Sequence, residues 1–202
     1  MHGIVLACHL RYDGSMDLLP EPLTGKITLA IVPRRAIRPL LGLAARLAQR
    51  APLRVLDGGN CFNAYIVALA LRQQTTDVTA ALERIRVSRA FTCYQMVTLL
   101  EETPATPVAT LVLDFLATFR DENVPLGERF RLLRICLERL DCLASVAPLL
   151  VSASPDSGPP MSGRRGRGQL QPDDRLLALL EEAADRVWRF GPPPPVVQLR
   201  LL

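Results

Sequence analysis

The chain has 202 residues, 49% hydrophobic and 22% charged, the composition of one folded domain with a sizeable core rather than a disordered polymer. Its longest apolar runs, such as 109–117, are broken by Asp114 or by proline well short of the roughly 20 residues of a membrane span. A net charge of +4 hints at an anionic partner without naming one.

The first residues, MHGIVLACHLRYDG, have neither a basic leader nor a small-residue cleavage site, so no signal peptide is expected. KITLAIVP (26–33) is short, apolar and ended by proline, which predicts a buried strand. From Pro39 to Arg50, Leu40, Leu43, Ala44 and Leu47 share one face at helical spacing, with Arg46 and Arg50 off it. Pro39 suits a first helical turn, where its missing N–H costs nothing.

PLRVLDGG (52–59) predicts a second strand closed by glycines, followed by helices over 64–72 and 78–84. IRVSRAF (85–91) reads as a third strand and Tyr94 to Glu102 as the next helix. PVATLVLDFL (107–116) is the most apolar segment, hence a central strand with Asp114 near its end. Leu126 to Ala147 carries Phe130, Leu133, Leu137, Leu140, Ala144 and Ala147 at steps of three and four, the pattern of the longest helix. PLLVSAS (148–154) is a fifth strand, and 155–172 is a Pro, Gly, Ser and Arg-rich loop expected to be mobile. A helix over 175–184, the strand DRVWRF, a break at PPPP (192–195) and an edge strand VVQLRLL complete the chain. Trp188 and Phe190 are expected in the core. Alternating helices and continuously apolar strands predict an α/β fold of three layers, a mainly parallel sheet with helices on both faces.

Lys26 is the only lysine among 24 basic residues. Such an arginine bias serves bidentate contacts to phosphate and carboxylate, or reflects a GC-rich genome. Arg34, Arg35, Arg38, Arg46, Arg50 and Arg54 form one stretch without an acid between them, and Arg164, Arg165 and Arg167 form a second cluster. The cysteines at 8, 61, 93, 136 and 142 make no Cys-x-x-Cys pair, and His2 and His9 are the only histidines. No metal site and no Cys–His nucleophile is expected; reduced, mostly buried thiols are.

Five segments occur in order at compatible spacing: MDLLPEPLTGKIT, VLDGGNCFNAYIVALAL, ALERIRVSRAFTCYQMVTLL, LVLDFLATF and LLVSAS. Together they resemble the ATPase core of the RecA/RadA recombinase family, closest to its archaeal and eukaryotic branch and paralogues, over about residues 16–190. RVSRAFTCYQM is the most specific piece, with Arg89, Ala90, Phe91, Gln95 and Met96 matching the form V-A-R-A-F-x-x-x-x-Q-M. The resemblance implies an N-terminal extension over 1–15 and one RecA-like domain over 16–202.

Its catalytic parts are degenerate here. The family needs a phosphate loop G-x-x-x-x-G-K-[ST], in which backbone N–H groups wrap the phosphates. The matching run is VPRRAIRPLL, with Arg38 at the lysine and Pro39 at the hydroxyl position, and no glycine between Gly25 and Gly42. The Gly25–Thr28 string is a decoy, because it precedes a strand. Gly59 stands where relatives carry a water-orienting glutamate. Asp114 matches the magnesium-associated aspartate, and without the other parts it reads first as a strand-end residue capping a turn.

The resemblance therefore implies a pseudo-ATPase without cofactor. It would act as a DNA-binding accessory or mediator in homologous recombination. The two alternatives are a scaffold that pairs with another protein and, less favoured, an ATPase with an aberrant loop. DNA, single-stranded or duplex, and a recombinase or SWIM-type protein are the implied partners. A dimer or heteromer is open, and a long self-filament is not expected. The family's two DNA loops correspond to 117–127, with Arg120, and to 155–172, with Arg164, Arg165 and Arg167, which could equally be a solvated loop. No membrane association is expected; the compartment would be the cytosol of a prokaryote or the nucleus of a eukaryote.

Overall fold

Apolar runs without alternation become strands covered on both sides. In the computed structural model, which describes residues 6–11, 19–155 and 172–191, β2 (Ile27–Ile31) and β6 (Leu149–Ala153) have every residue buried. Each is followed or preceded by a helix that supplies one of the covers. In chain order the elements are β1 (Leu6–Arg11), β2, α1 (Arg38–Arg50), β3 (Leu53–Asp57), α2 (Ala64–Arg72), α3 (Val78–Glu83) and β4 (Ile85–Arg89). Then come α4 (Cys93–Glu102), β5 (Ala109–Leu113), α5 (Leu126–Val146), β6, α6 (Pro172–Ala183) and β7 (Arg186–Gly191). Short 3-10 turns lie at Arg34–Ala36 and Phe115–Phe119.

Among the described residues the strands form one sheet in the order β1-β7-β2-β6-β5-β3-β4, every pair parallel. Two apolar layers sandwich it. Leu29, Leu56, Val112 and Val151 face α4, α5 and α6. Ala30, Val55, Leu111 and Leu150 face α1, α2 and α3. Successive strand residues point to opposite faces, so an unbroken apolar strand feeds both layers at once. Trp188 and Phe190 are buried in the second layer, as the sequence predicts.

Local signals set the helix ends. Asn63 caps α2 by accepting from the N–H groups of Tyr65 and Ile66, and Thr92 caps α4 through Gln95 N–H. In return Gln95 Oε1 accepts from Phe91 N–H, which closes the turn between β4 and α4. Pro39 lies in the first turn of α1. Gly25 adopts φ +75° in the turn before β2, so the Gly25–Thr28 string does lead into a strand. Lys26 of that string pairs with Asp185 at 2.9 Å.

Two boundaries differ from the sequence expectation. Part of the expected 1–15 extension is β1, which pairs with β7 in register from Leu6↔Arg186 to Arg11↔Gly191. α6 starts at Pro172 rather than at 175; a proline with aspartates behind it suits a helix N-terminus. The predicted strand VVQLRLL and residues 156–171 of the predicted mobile loop lie outside the described residues. Among the described residues no helix is long and apolar enough to cross a membrane.

Candidate functional site at the carboxyl end of the sheet

In open parallel sheets ligands bind beyond the carboxyl ends of the strands, where the loops converge. Here that end holds two buried carboxylates, Asp57 as the last residue of β3 and Asp114 just after β5. A buried charge is costly unless paired and hydrogen-bonded, so their partners define the site.

Asp57 organises the loop that follows it. Its Oδ1 accepts from Cys61 N–H and its Oδ2 from Phe62 N–H, both at 2.9 Å. Arg89, its register partner on β4, brings Nε to 3.4 Å of Oδ2. The loop is thereby pulled back over the strand end, with Asn60 in a left-handed conformation at φ 53°.

Asp114 is held from three sides. Its N–H donates to Ser152 Oγ at 2.9 Å, and its Oδ1 accepts from Ser154 N–H at 3.2 Å. Its Oδ2 lies 3.2 Å from Arg34 Nε. The backbone is left-handed, φ 45° and ψ 52°, a conformation that costs most residues about 1–2 kcal/mol and that aspartate tolerates better than most.

Arg34 comes from the connection between β2 and α1. Its Nη2 donates to the carbonyl of Gly59. A hydrogen bond to Cys61 and the nearby carboxylates of Asp114 and Asp57 raise its already high pKa. The connection itself is a tight 3-10 turn in which Ala36 N–H donates to Pro33 O at 2.7 Å. Pro33 and Pro39 have no N–H to offer, so this turn is poor in the free backbone donors that a phosphate cradle requires.

Gly58 and Gly59 pack against Asp114 with no room for a side chain. A Cβ at Gly59 would lie 2.5 Å from Asp114 Oδ2, and one at Gly58 would lie 3.1 Å from Asp114 O. Asp114 occupies the space that a side chain at 59 would need.

The sequence-predicted residues separate accordingly. Gly59 and Asp114 meet; Arg38 is exposed at the start of α1 and Pro39 is buried beside it. Arg120 donates from Nη2 to Ser154 O, bridging the segments that follow β5 and β6. Arg164, Arg165 and Arg167 lie outside the described residues. Arg34, Cys61 and the Asp57–Arg89 pair were not predicted as a group. Arg34 stood in the basic stretch and Arg89 in the most specific motif, but their partners are 80 and 32 residues away.

That basic stretch is largely engaged within the fold. Besides Arg34, Arg46 donates to Leu19 O, Arg50 to Glu21 at 2.7 Å, and Arg54 to Pro104 O, Thr106 and Thr110. Cys61 Sγ lies 3.9 Å from Asp114 Oδ2, and burial raises its pKa, which keeps it a thiol rather than a nucleophilic thiolate. Among the described residues, no group of three or more His, Cys, Asp or Glu side chains could hold a metal ion. Neither a protein-family model nor a curated protein matches the chain.

Cys61, Cys93, Cys136 and Cys142 are free thiols: Cys93 and Cys136 are buried, Cys61 half-buried and Cys142 exposed. Burial, with a smaller contribution from Cys93, pushes the Cys136 thiol up to about 12.

Two measurements follow from this packing. Gly59→Ala drives a methyl into the Asp114 carboxylate and is expected to cost about 1–3 kcal/mol of stability. Gly127→Ala, which meets nothing within 4 Å, serves as the control and gains up to about 1 kcal/mol. Urea midpoints of the two variants check the contrast, and an unperturbed Gly59→Ala would contradict the close approach.

The second concerns alkaline pH. An unfolded Cys136 loses its proton near the ordinary value of 9.0, whereas the folded one keeps it to about 12. The folded state therefore binds more protons in that window. Its stabilisation is complete below pH 9 and declines on rising through the window, by up to about 1.4 kcal/mol per pH unit. Urea titrations on the alkaline side should give a shallower decline for Cys136→Ala than for the parent.

Proposed function

We propose that the chain is a non-catalytic relative of the RecA/RadA recombinases that works by binding, as an accessory or mediator in homologous recombination and DNA repair. The observation that carries this reading is Arg34: a guanidinium bonded to Asp114 and Gly59 where a nucleotide-hydrolysing relative needs a glycine-rich loop. The parallel sheet, Asp114 at the end of β5 and the buried Gly59 support it from the same end of the molecule. β5 and β6 are neighbours in the sheet, so the two loops assigned to DNA by resemblance leave from adjacent strands. Arg120 ties those loops together through Ser154 O, a positioning role, which leaves Arg164, Arg165 and Arg167 as the candidate phosphate contacts. An exposed sheet edge favours the second reading, a scaffold that pairs with another protein.

ATP comes first among the tests. Titration calorimetry with Mg-ATP is expected to give no binding heat, and micromolar affinity lost in Asp114→Ala would overturn the non-catalytic reading. DNA separates the two binding readings. Each phosphate contact contributes about −0.7 to the log–log salt slope on single strands and about −0.9 on duplex. Replacing Arg164, Arg165 and Arg167 together with alanine should reduce the slope by roughly two to three units and weaken binding to all sequences alike. An unchanged slope removes these arginines from the DNA account, and a parent that does not bind DNA leaves the scaffold.

A further inference from the structure

α5 connects β5 to β6 and α6 connects β6 to β7, and these strands all run parallel. Both helices therefore cross back from the carboxyl end of the sheet to its amino end, side by side and in the same direction. An open groove of about 630 Å³ lies between them, room for several side chains where one water takes about 30 Å³. Phe130 and Ile135 of α5 and Leu179 of α6 line it, each half-buried. Arg175, in the first turn of α6, stacks its guanidinium over the Phe130 ring at 4.9 Å from the centroid. That contact fixes the level of one helix against the other.

Charge is separated along this groove. Arg134 and Arg175 line the end nearer the helix N-termini, and Glu138 and Glu182 line the other. At 1.5 Å per residue the opposite charges lie about 6 Å apart along α5 and about 10 Å apart along α6. All four side chains are exposed, and among the described residues none of them has an ion pair or a side-chain hydrogen bond. Arg131, on the same rim, is instead held by Glu128 through two bonds of 2.7 and 2.8 Å. An arginine in the first turn of α6 and a glutamate in its last turn both oppose the helix dipole. The helix that carries these charges does not account for them.

A face with two unpaired cations at one end and two unpaired anions at the other is complementary to itself. Laid on a second copy turned end for end, it sets the arginines of each copy against the glutamates of the other. The two-fold axis then crosses the helices near Ile135 and Leu179, so the half-buried apolar side chains meet at the centre and the charges form the rim. Such a contact is isologous, with every pairing made twice. An axis running along the helices would instead stack arginine on arginine and glutamate on glutamate, which like-charge repulsion opposes. The charge pattern thus selects both the occupant and its orientation.

We propose that the chain forms a two-fold dimer through the α5–α6 groove, with Arg134 of each copy paired to Glu138 of the other and Arg175 to Glu182. This proposal is independent of the recombinase reading and holds with or without DNA binding. Light scattering of the nuclease-treated full chain should show a mass rising from one copy towards two between about 1 and 100 μM. Arg134→Glu sets glutamate against glutamate, and Glu138→Arg sets arginine against arginine. Each variant alone should stay at the mass of one chain, with unchanged far-ultraviolet circular dichroism because both positions are exposed. An equimolar mixture of the two should dimerise, since every mixed contact at these positions joins opposite signs. Should either variant lose its fold, Ala178→Arg decides alone, because it places a bulky cation from each copy near the axis and should hold the mass at one chain. A parent that stays at one chain throughout this range overturns the proposal, as it would if the groove took a different protein. So does association that persists in the folded single variants or in Ala178→Arg, or a mixture that does not dimerise.

Discussion

Asp114 is a carboxylate with only 3% of its surface exposed, and much of the carboxyl end of the sheet is arranged to compensate it. Its charge requires a cation, which Arg34 reaches in to supply from the β2–α1 turn. Its oxygens require donors, which Ser154 N–H and that guanidinium provide. Its bulk requires space, which Gly59 yields by having no side chain. Removing one partner of such a buried charge costs more than the pair itself contributes, because the remaining charge is left uncompensated. The turn, the glycine and the left-handed aspartate are thus one coupled unit, and a change in any of them is felt by the other two.

On the proposed reading as a recombinase relative, this coupling gives a physical meaning to the three departures from a nucleotide-binding pattern. Proline and arginine in place of glycine and lysine shape a turn whose backbone bonds to itself. Glycine in place of glutamate at 59 is required by the aspartate opposite. On that reading, introducing a single residue of the family's catalytic pattern would not rebuild its site. A glutamate at 59 would meet Asp114, and a lysine at 38 would sit on an exposed helix start, while Arg34 held its present contacts.

Most of the architecture was legible before the structure, because it rests on local periodicity. The helix over 64–72 and the strands near 27, 53, 85, 109 and 149 are segments whose apolar spacing or length admits one reading. β1 was not legible: LACHLR is short and becomes a strand only because β7 offers a parallel edge. The site was legible in part. Gly59 and Asp114 could be singled out by resemblance, whereas nothing in the spacing of Arg34, Arg46, Arg50 and Arg54 distinguishes a ligand-binding stripe from side chains bonded to their own fold. Tertiary contact decides that question, and for these four it decides for the fold.

The distribution of satisfied and unsatisfied groups then separates the two regions of the molecule. At the carboxyl end each buried carboxylate has its donors and its arginine, so a new ligand there would have to displace an existing bond before making one. β4 pairs with β3 alone among the described residues, so the backbone groups of Ile85, Val87 and Arg89 face away from that partner, and Val87 is exposed. Among the described residues, adding a strand there breaks no contact, and any apolar surface it covers is worth about 25 cal/mol for each Å². Among the described residues the carboxyl end of the sheet is therefore the costlier place to bind, and the edge at β4 is where association meets less resistance.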